Sequence, residues 1–451
     1  MDLGNKHVLI IGAARSGISS AVFLARIGAF VLLNDTKKYD VLMAEGYGIE
    51  RLQDITNIEL ILGRQPANEE ILQCDLVILS PGVPPDIPAC LYASENGIEV
   101  MSEIEFANML FNGNIIAITG TNGKTTTTYL TGAILKNAGL DADVCGNIGF
   151  PFINYVDVSN KDTYAVLEIS SFQLSMHKEM KPKIAIITNI TPDHLDRHKT
   201  MDKYIDAKAN IFKLMRGCDT LILNYDDEIV RKLAERARCA VKFFSLKDET
   251  ADIYFKDGYI CTHSMGKIIH KSEMRLLGEH NMANAMCAIL AAFTCGLSKE
   301  DILPTLKNFL PVEHRVELVR ELNGVKYIND SKGTNPDASI TAINAMEQPV
   351  ILIMGGYDKH SDFTEIMQLI KQRVKKIIVM GATKEQIIRS AIEADYENFT
   401  QTDSLKEAVE IAHGIAENGD CVLLSPACAS WDMFENFEQR GELFKQYVNS
   451  L

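Results

Sequence analysis

The stretch Ile115-Ile-Ala-Ile-Thr-Gly-Thr-Asn-Gly-Lys-Thr-Thr126 decides how this chain is read. Its first five residues form an apolar run suited to a parallel strand buried on both faces. A glycine-containing turn follows, and a helical pattern then continues through Lys136. Bound phosphates call for many backbone N–H groups, a helix N-terminus and a mobile cation. Gly120 and Gly123 let the backbone wrap closely, Lys124 supplies the cation, and Thr125 can place a hydroxyl on Mg²⁺. The turn is shorter than the common G-x-x-x-x-G-K form, because Ile118 stands where the first glycine would fall. The expectation is a nucleotide site in an ATP-dependent enzyme.

Upstream, His7-Val-Leu-Ile-Ile11 ends in Gly12, a helical pattern runs from Gly17 to Ile27, and Phe30-Val-Leu-Leu33 ends in Asn34-Asp35. Leu76-Val-Ile-Leu79 then ends in Ser80-Pro81-Gly82. This order is that of a Rossmann-like unit, although Ala14 replaces the second glycine of G-x-G-x-x-G. The turn alone leaves three readings open: a dinucleotide site, a UDP-type diphosphate site, or a bare strand-to-helix turn.

Downstream, strands are expected at Tyr164–Leu167, Ile184–Ile187 and Thr220–Leu223, with hairpins over 251–275. Met282, Met286 and Leu290 form one helical stripe after His280. A third unit begins near Pro311, with strands at Val325–Ile328, Val350–Met354, Lys376–Met380 and Cys421–Leu424. Gly355-Gly356, Gly381 and Ser425-Pro426 follow strand ends, where ligands collect in open α/β sheets. With 451 residues, about three domains of roughly 100–200 residues fit. The expected fold is α/β with three domains in series: a Rossmann-like domain over 1–103, a central ATP-binding domain over 104–310, and a Rossmann-like domain over 311–451.

The net charge of −15 argues against nucleic-acid or anionic-membrane partners. Ten scattered cysteines include no CxxC pair, which disfavours a zinc site or disulfide framework. Neither a secretory leader pattern nor a bilayer-length apolar run is evident. The expectations are therefore a cytoplasmic location and no membrane insertion; a monomer is expected as well.

Glu168 ends its strand beside the phosphate loop, where a Mg²⁺-binding or water-positioning carboxylate belongs, and Asp193 and His194 emerge at the same rim. Lys208 has Ile205, Ile211 and Phe212 at helical spacing around it, on an inward face where a bare ammonium is costly. Either it snorkels, or it faces a charged cavity, or CO₂ converts it to a carbamate able to hold metal.

Together these residues resemble the Mur ligases, the ATP-dependent amino-acid-adding enzymes of bacterial peptidoglycan synthesis. The resemblance spans the chain. It runs through Gly120–Thr125, Gly146-Asn-Ile-Gly149, Leu167-Glu-Ile-Ser-Ser-Phe-Gln-Leu174, Asn189-Ile-Thr-Pro-Asp-His-Leu-Asp-Arg197 and Tyr204-Ile-Asp-Ala-Lys-Ala209. It continues in Gly278-Glu-His-Asn-Met-Ala-Asn284, His314-Arg315 and Asn329-Asp-Ser-Lys-Gly-Thr-Asn335. The tail from Leu424 to Gly441 is similar to that of the D-glutamate-adding branch, and the Asp-Asn-Pro-Arg motif of the diamino-acid-adding relative is missing.

The resemblance implies that ATP phosphates meet Gly120, Thr121, Asn122, Gly123, Lys124, Thr125 and Thr126, with Asn281, Asn284, Arg315 and Asp330 around the nucleotide. It implies UDP-N-acetylmuramoyl-L-alanine on Arg15, Ser16, Asp35, Thr36, Ser80, Gly82 and Asn147. D-glutamate would meet Lys332, Thr334, Lys359, Ser430 and Phe437. Two Mg²⁺ ions would lie among Thr125, Glu168, His194 and a carbamoylated Lys208, and catalysis would fall to Lys124, Glu168, His194 and Lys208. The implied chemistry is an acyl phosphate followed by a tetrahedral intermediate. Competing readings are a sister ligase, a folylpolyglutamate synthase-like enzyme, an NAD-dependent dehydrogenase and a non-catalytic nucleotide switch. Domain closure on binding is also expected.

Overall fold

A computed structural model describes residues 3–276, 278–310, 312–357 and 361–451. The apolar runs fold as three sheets in series. The first sheet is all parallel, in the spatial order Ile58–Leu62, Phe30–Asp35, His7–Ile11, Leu76–Leu79, Glu99–Ser102. Its central strand is buried from Val8 onward, as expected for a strand covered on both faces.

The second sheet has nine strands, ordered Gly266–His270, Tyr259–Thr262, Ile253–Lys256, Cys239–Ser245, Gly217–Asn224, Ile184–Ile187, Asn114–Thr119, Tyr164–Glu168, Ala142–Gly146. Ile253–Lys256, Tyr259–Thr262 and Gly266–His270 pair antiparallel, and the hairpins expected over 251–275 are this meander. The loop strand Asn114–Thr119 lies between Tyr164–Glu168 and Ile184–Ile187. The chain therefore leaves the loop strand toward one side of the sheet and later returns on the other. Such a switch point opens a crevice at the carboxyl ends of the strands. That crevice receives Gly120, Glu168 and Thr188-Asn189 together.

The third sheet is ordered Glu317–Leu322, Val325–Asn329, Cys421–Leu424, Val350–Met354, Val374–Val379, Phe399–Gln401, with only its first strand antiparallel. The strand read from sequence as Lys376–Met380 begins two residues earlier and ends at Val379. Pro336 opens the helix Pro336–Asn344, where a missing N–H is harmless.

Packing distinguishes the domains. Helix Glu279–Thr294 buries Met282, Met286 and Leu290 against helix Lys124–Asn137, each contributing roughly 1.5–3 kcal/mol. One apolar core runs continuously from the first domain into the second through Phe23, Phe106, Phe152 and Tyr155. The third domain has its own two cores, on either face of its sheet.

Candidate active site between the domains

The phosphate loop is shaped by crowding. Gly120 (φ +148°) and Gly123 (φ +83°) hold conformations that side chains rarely adopt, and a Cβ there would strike Thr188 Oγ1 at 1.9 Å and Asn284 Oδ1 at 2.3 Å. The neighbouring strand end pins the loop. Asn189 accepts from Thr121 N at 2.9 Å through its carbonyl and from Asn122 N at 2.8 Å through Oδ1. Thr188 Oγ1 donates to Asn122 O at 2.6 Å. On the far wall Thr127 Oγ1 donates to Asn284 Oδ1 at 3.3 Å, and Asn284 Nδ2 donates to Asn281 Oδ1 at 3.1 Å.

Two lysines converge on this loop. Lys124 Nζ donates to the carbonyls of Gly120 and Thr121 at 2.8 and 2.7 Å. Lys208 Nζ, on helix Met201–Ala209, donates to the same Gly120 carbonyl at 2.6 Å and lies 4.7 Å from the Tyr204 ring centroid. The helical stretch around Lys208 ends as α-helix at Ala209 and tightens into a 3₁₀ turn over Asn210–Phe212. Lys208 does not snorkel: it is 1% exposed. Burial and then the charge of Lys124 hold its ammonium well below the ordinary lysine range. Burial lowers Lys124 as well.

Glu168 supplies the opposing charge. Its Oε1 accepts from Asn147 Nδ2 at 2.8 Å, while Oε2 is buried with no hydrogen-bond partner. A buried carboxylate oxygen left bare costs free energy unless a cation or donor meets it. Thr125 is buried at the start of helix Lys124–Asn137. Asp193 and His194 arrive at the same rim. His194 is left-handed (φ 55°), with Nε2 3.5 Å from Asp193 Oδ2 and its ring against Phe172.

The third domain closes the cleft. Asn335 Nδ2 donates to Asp193 Oδ2 at 3.3 Å, a direct bond between the domains. Arg315 lines the cleft with its Nε buried and unpartnered. Asp330 is buried, which raises its carboxyl to about 7, and it accepts from Ser425 Oγ at 2.7 Å. Burial and the nearby Arg315 push His280 down to about 4 and Lys332 to about 8. The cleft measures about 340 Å³ and is lined by Asn122, Gly123, Asn284, Arg315, Asp330 and Lys332, among others.

A second cleft of about 380 Å³ is bounded by all three domains. Arg15, Ser16, Thr125, Asn147, Lys332 and Phe437 line it. Lys332 borders both clefts, with its Nζ 5.0 Å from the Phe437 ring centroid. Asp35, Thr36, Ser80 and Gly82 stand at the carboxyl edge of the first sheet without lining either cleft. Asp35 accepts from Ala13 N at 2.8 Å, and Ser80 Oγ donates to Gly12 O at 2.7 Å. Ala14 is exposed in extended backbone (φ −83°, ψ −173°), so its side chain causes no strain. Thr334 follows Lys332, its N–H bonded to the Lys332 carbonyl at 2.9 Å. Ser430 is buried outside both linings. Trp431 is 62% exposed against Tyr357. Lys359 lies outside the described residues.

Sequence reasoning passed over Thr188, Asn189, Asn335 and Arg440, although all four stand in or beside quoted motifs. Arg440 is fully buried and donates to Ser331 Oγ and O at 3.0 and 2.7 Å and to Cys428 O at 3.2 Å. It ties the 331–335 loop to the 425–430 loop. A lone arginine four residues into a helix pattern carries no mark of such burial.

The chain matches three family models in series: "Mur ligase MurD-like, N-terminal domain" over 6–102, "Mur ligase middle domain" over 118–292, and "Mur ligase, glutamate ligase domain" over 314–428. It is 47% identical to the UDP-N-acetylmuramoylalanine--D-glutamate ligase of Caldicellulosiruptor bescii, covering 100% of this chain and 99% of that one. It is 44% identical to the ligase of the same name from Clostridioides difficile, covering 100% of both. Among solved structures, UDP-N-acetylmuramate-alanine ligase MurC of Thermotoga maritima superposes with TM-score 0.63 at 16% identity, covering 99% of each chain. MurF ligase of the same organism, solved with ADP, gives 0.60 at 16% identity, covering 100% of this chain and 96% of that one. These last two show the shared fold.

Proposed function

The chain belongs to the Mur ligase family, and on that premise we propose that it joins D-glutamate to UDP-N-acetylmuramoyl-L-alanine, converting ATP to ADP and phosphate. It is an ATP-dependent amide-bond-forming ligase of peptidoglycan synthesis. The observation that carries the reading is Lys332, which borders both clefts. A ligase needs this arrangement, because the activated carboxyl and the incoming amine must meet within a few ångströms. A dehydrogenase reading would need the first turn to bind a dinucleotide, yet Asp35, the acid expected to take a ribose hydroxyl, accepts from the turn's own Ala13 N–H.

In this reading the alanine carboxylate attacks the γ-phosphate, giving an acyl phosphate and ADP. The amine of D-glutamate then attacks the acyl carbon, and the tetrahedral intermediate collapses with loss of phosphate. Lys124 is freed from its two loop carbonyls to follow the transferring phosphoryl group. Arg315 approaches from the third domain to offset the same charge. Lys332, with Thr334, Lys359, Ser430 and Phe437 around the amino-acid site, receives the side-chain carboxylate of D-glutamate. The muramoyl substrate extends from Asn147 past Arg15 and Ser16, with Asp35, Thr36, Ser80 and Gly82 toward its UDP end.

The residues fit Mg²⁺. Glu168 Oε2 is a bare, buried carboxylate oxygen and Thr125 carries a buried hydroxyl at the start of the helix after the loop, and hard oxygen donors are what Mg²⁺ takes. Thr125, Glu168, His194 and Lys208 would hold the ions, whose charge would screen the phosphates. Lys208 also fits carbamoylation. Burial and the charge of Lys124 favour the neutral amine, and a neutral amine attacks CO₂ to form an N–C bond, releasing one proton and leaving an anionic carbamate. That anion would counter the excess of two lysines at one loop.

The deciding experiment measures ADP release with UDP-N-acetylmuramoyl-L-alanine plus D-glutamate, L-alanine, a diamino acid or, separately, a folate acceptor with glutamate. Turnover with D-glutamate alone is expected; preference for any other arm overturns the assignment.

A further inference from the structure

Nine described non-glycine residues have a positive φ. Four are Asn5, Asp257, Asn323 and Asp395, residue types that enter the left-handed region easily. The other five are His194 and His314, a type also enriched there, and Lys199, Val316 and Ala427. His194 and Lys199 flank the short helix after Asp193, Ala427 follows Ser425-Pro426, and His314 (φ 61°) and Val316 (φ 47°) bracket Arg315. A β-branched residue in this region is a true outlier, sustained only by its surroundings.

The surroundings of Arg315 are specific. His314 N donates to Glu317 Oε2 at 2.9 Å, and Asn329 Nδ2 lies 2.9 Å from His314 Nδ1. Its ring rests on helix Phe437–Asn449, where a Cβ on Gly441 would stand 2.2 Å from Nδ1. Val316 is buried, and its N–H reaches Asp330 Oδ1 at 3.3 Å. Between these anchors Arg315 presents an unpartnered Nε in the nucleotide cleft. The His314 carbonyl also accepts from Lys332 N at 3.0 Å.

We propose that His314 and Val316 are positioning residues that hold Arg315 aimed at the nucleotide, in a strained turn clamped by Gly441 and Asp330. The same turn fixes Lys332, so helix Phe437–Asn449 sets both the nucleotide and the amino-acid site without lining the nucleotide cleft. The inference rests on the reading of this cleft as the ATP site.

The test is a double-mutant cycle on Gly441→Ala and His314→Asn. Asparagine tolerates the left-handed backbone and keeps an acceptor for Asn329, while leaving room for a methyl group. Binding of a non-hydrolysable ATP analogue is read by calorimetry, and KM for each substrate by steady-state kinetics. Gly441→Ala is expected to weaken analogue binding about tenfold and to raise KM for ATP and D-glutamate together, with KM for the UDP substrate within about twofold. In the His314→Asn background the same glycine change is expected to cost less than about twofold. Equal penalties in both backgrounds, or wild-type binding by Gly441→Ala, overturn the proposal. Should Gly441→Ala fail to fold, His314→Ala decides, since it loses both the acceptor for Asn329 and the ring against Gly441: unchanged ATP parameters overturn the proposal, and a selective rise in KM for ATP and D-glutamate supports it. A wild type that binds no ATP analogue would instead sink the nucleotide reading itself.

Discussion

The chain makes the strand–glycine turn–helix element twice, at Gly12–Gly17 and at Gly120–Lys124, and the two differ in how their polar groups are satisfied. The first turn is largely self-sufficient. Asp35 takes Ala13 N and Lys37 N, Ser80 bonds Gly12 O, and Gly17 is a packing residue whose Cβ would lie 1.8 Å from Gly12 O. The second turn is surrounded by charge it cannot satisfy. Lys124 and Lys208 both end on loop carbonyls, and Glu168 Oε2 ends on nothing. A glycine turn is a backbone device in either case; charges delivered by neighbouring strands make one of them a candidate for chemistry. Buried, uncompensated charge is expensive and persists where a ligand will complete it.

The sharpest way to break the comparison is Lys124→Ala. We expect kcat to fall by about 10³-fold or more in a phosphate-release assay, with little change in melting temperature. If activity stays within tenfold, the second turn is as inert as the first. Lys208→Ala should cost roughly 10²–10³-fold, with partial recovery on adding a short-chain carboxylic acid. ¹³C-bicarbonate NMR on the wild type should show a carbamate signal that the variant lacks. Near-full activity without Lys208 would remove the carbamate from the scheme.

Asp35→Ala should act on the other turn and in the other way. Leaving the part-buried Ala13 N without its acceptor should cost about 1–3 kcal/mol of stability. KM for the UDP substrate should rise while kcat stays within about twofold. A large fall in kcat would show that the first turn takes part in chemistry.

The smallest effect on turnover is expected at the joint between the two regions. Glu103 opens helix Glu103–Leu110, is 1% exposed and accepts from Ile153 N at 3.1 Å. Burial raises its carboxyl from 4.5 to about 7. The folded chain therefore keeps a proton that the unfolded chain releases, and stability is lost as pH rises from about 4.5 to about 7. Glu103→Gln removes that loss, so the variant should gain up to ~3 kcal/mol above neutral pH and nothing near pH 4, with kinetic constants unchanged. Denaturant titrations at the two pH values measure it. Equal stability at both would refute the sign.

Legibility followed apolar continuity. His7–Ile11, Ile184–Ile187, Val350–Met354 and Cys421–Leu424 are unbroken apolar or nearly apolar runs, and they fold as strands with those bounds. Ile58–Leu62 and Ala142–Gly146 are interrupted by Glu59 and Asp143, and pairing with a neighbouring strand makes them strands. Gly120 and Lys124 were legible because strand, turn and helix start form one continuous segment, and Glu168 because it ends an apolar strand run of its own. The buried Arg440 and the anchors of Arg315 were not, because their partners lie far along the chain.

By itself the sequence determined three α/β units and the strand, glycine turn and helix around Gly120–Lys124. Those follow from local sterics and hydrophobic period, which act over a few residues. Only the tertiary structure decided that Lys124 and Lys208 share one carbonyl, that Glu168 keeps a bare oxygen, and that Lys332 borders two clefts. It also decided that Arg315 hangs between two strained residues braced by Gly441. Those are matters of burial and long-range packing, where removing water turns modest charges and small misfits into the largest energies in the molecule.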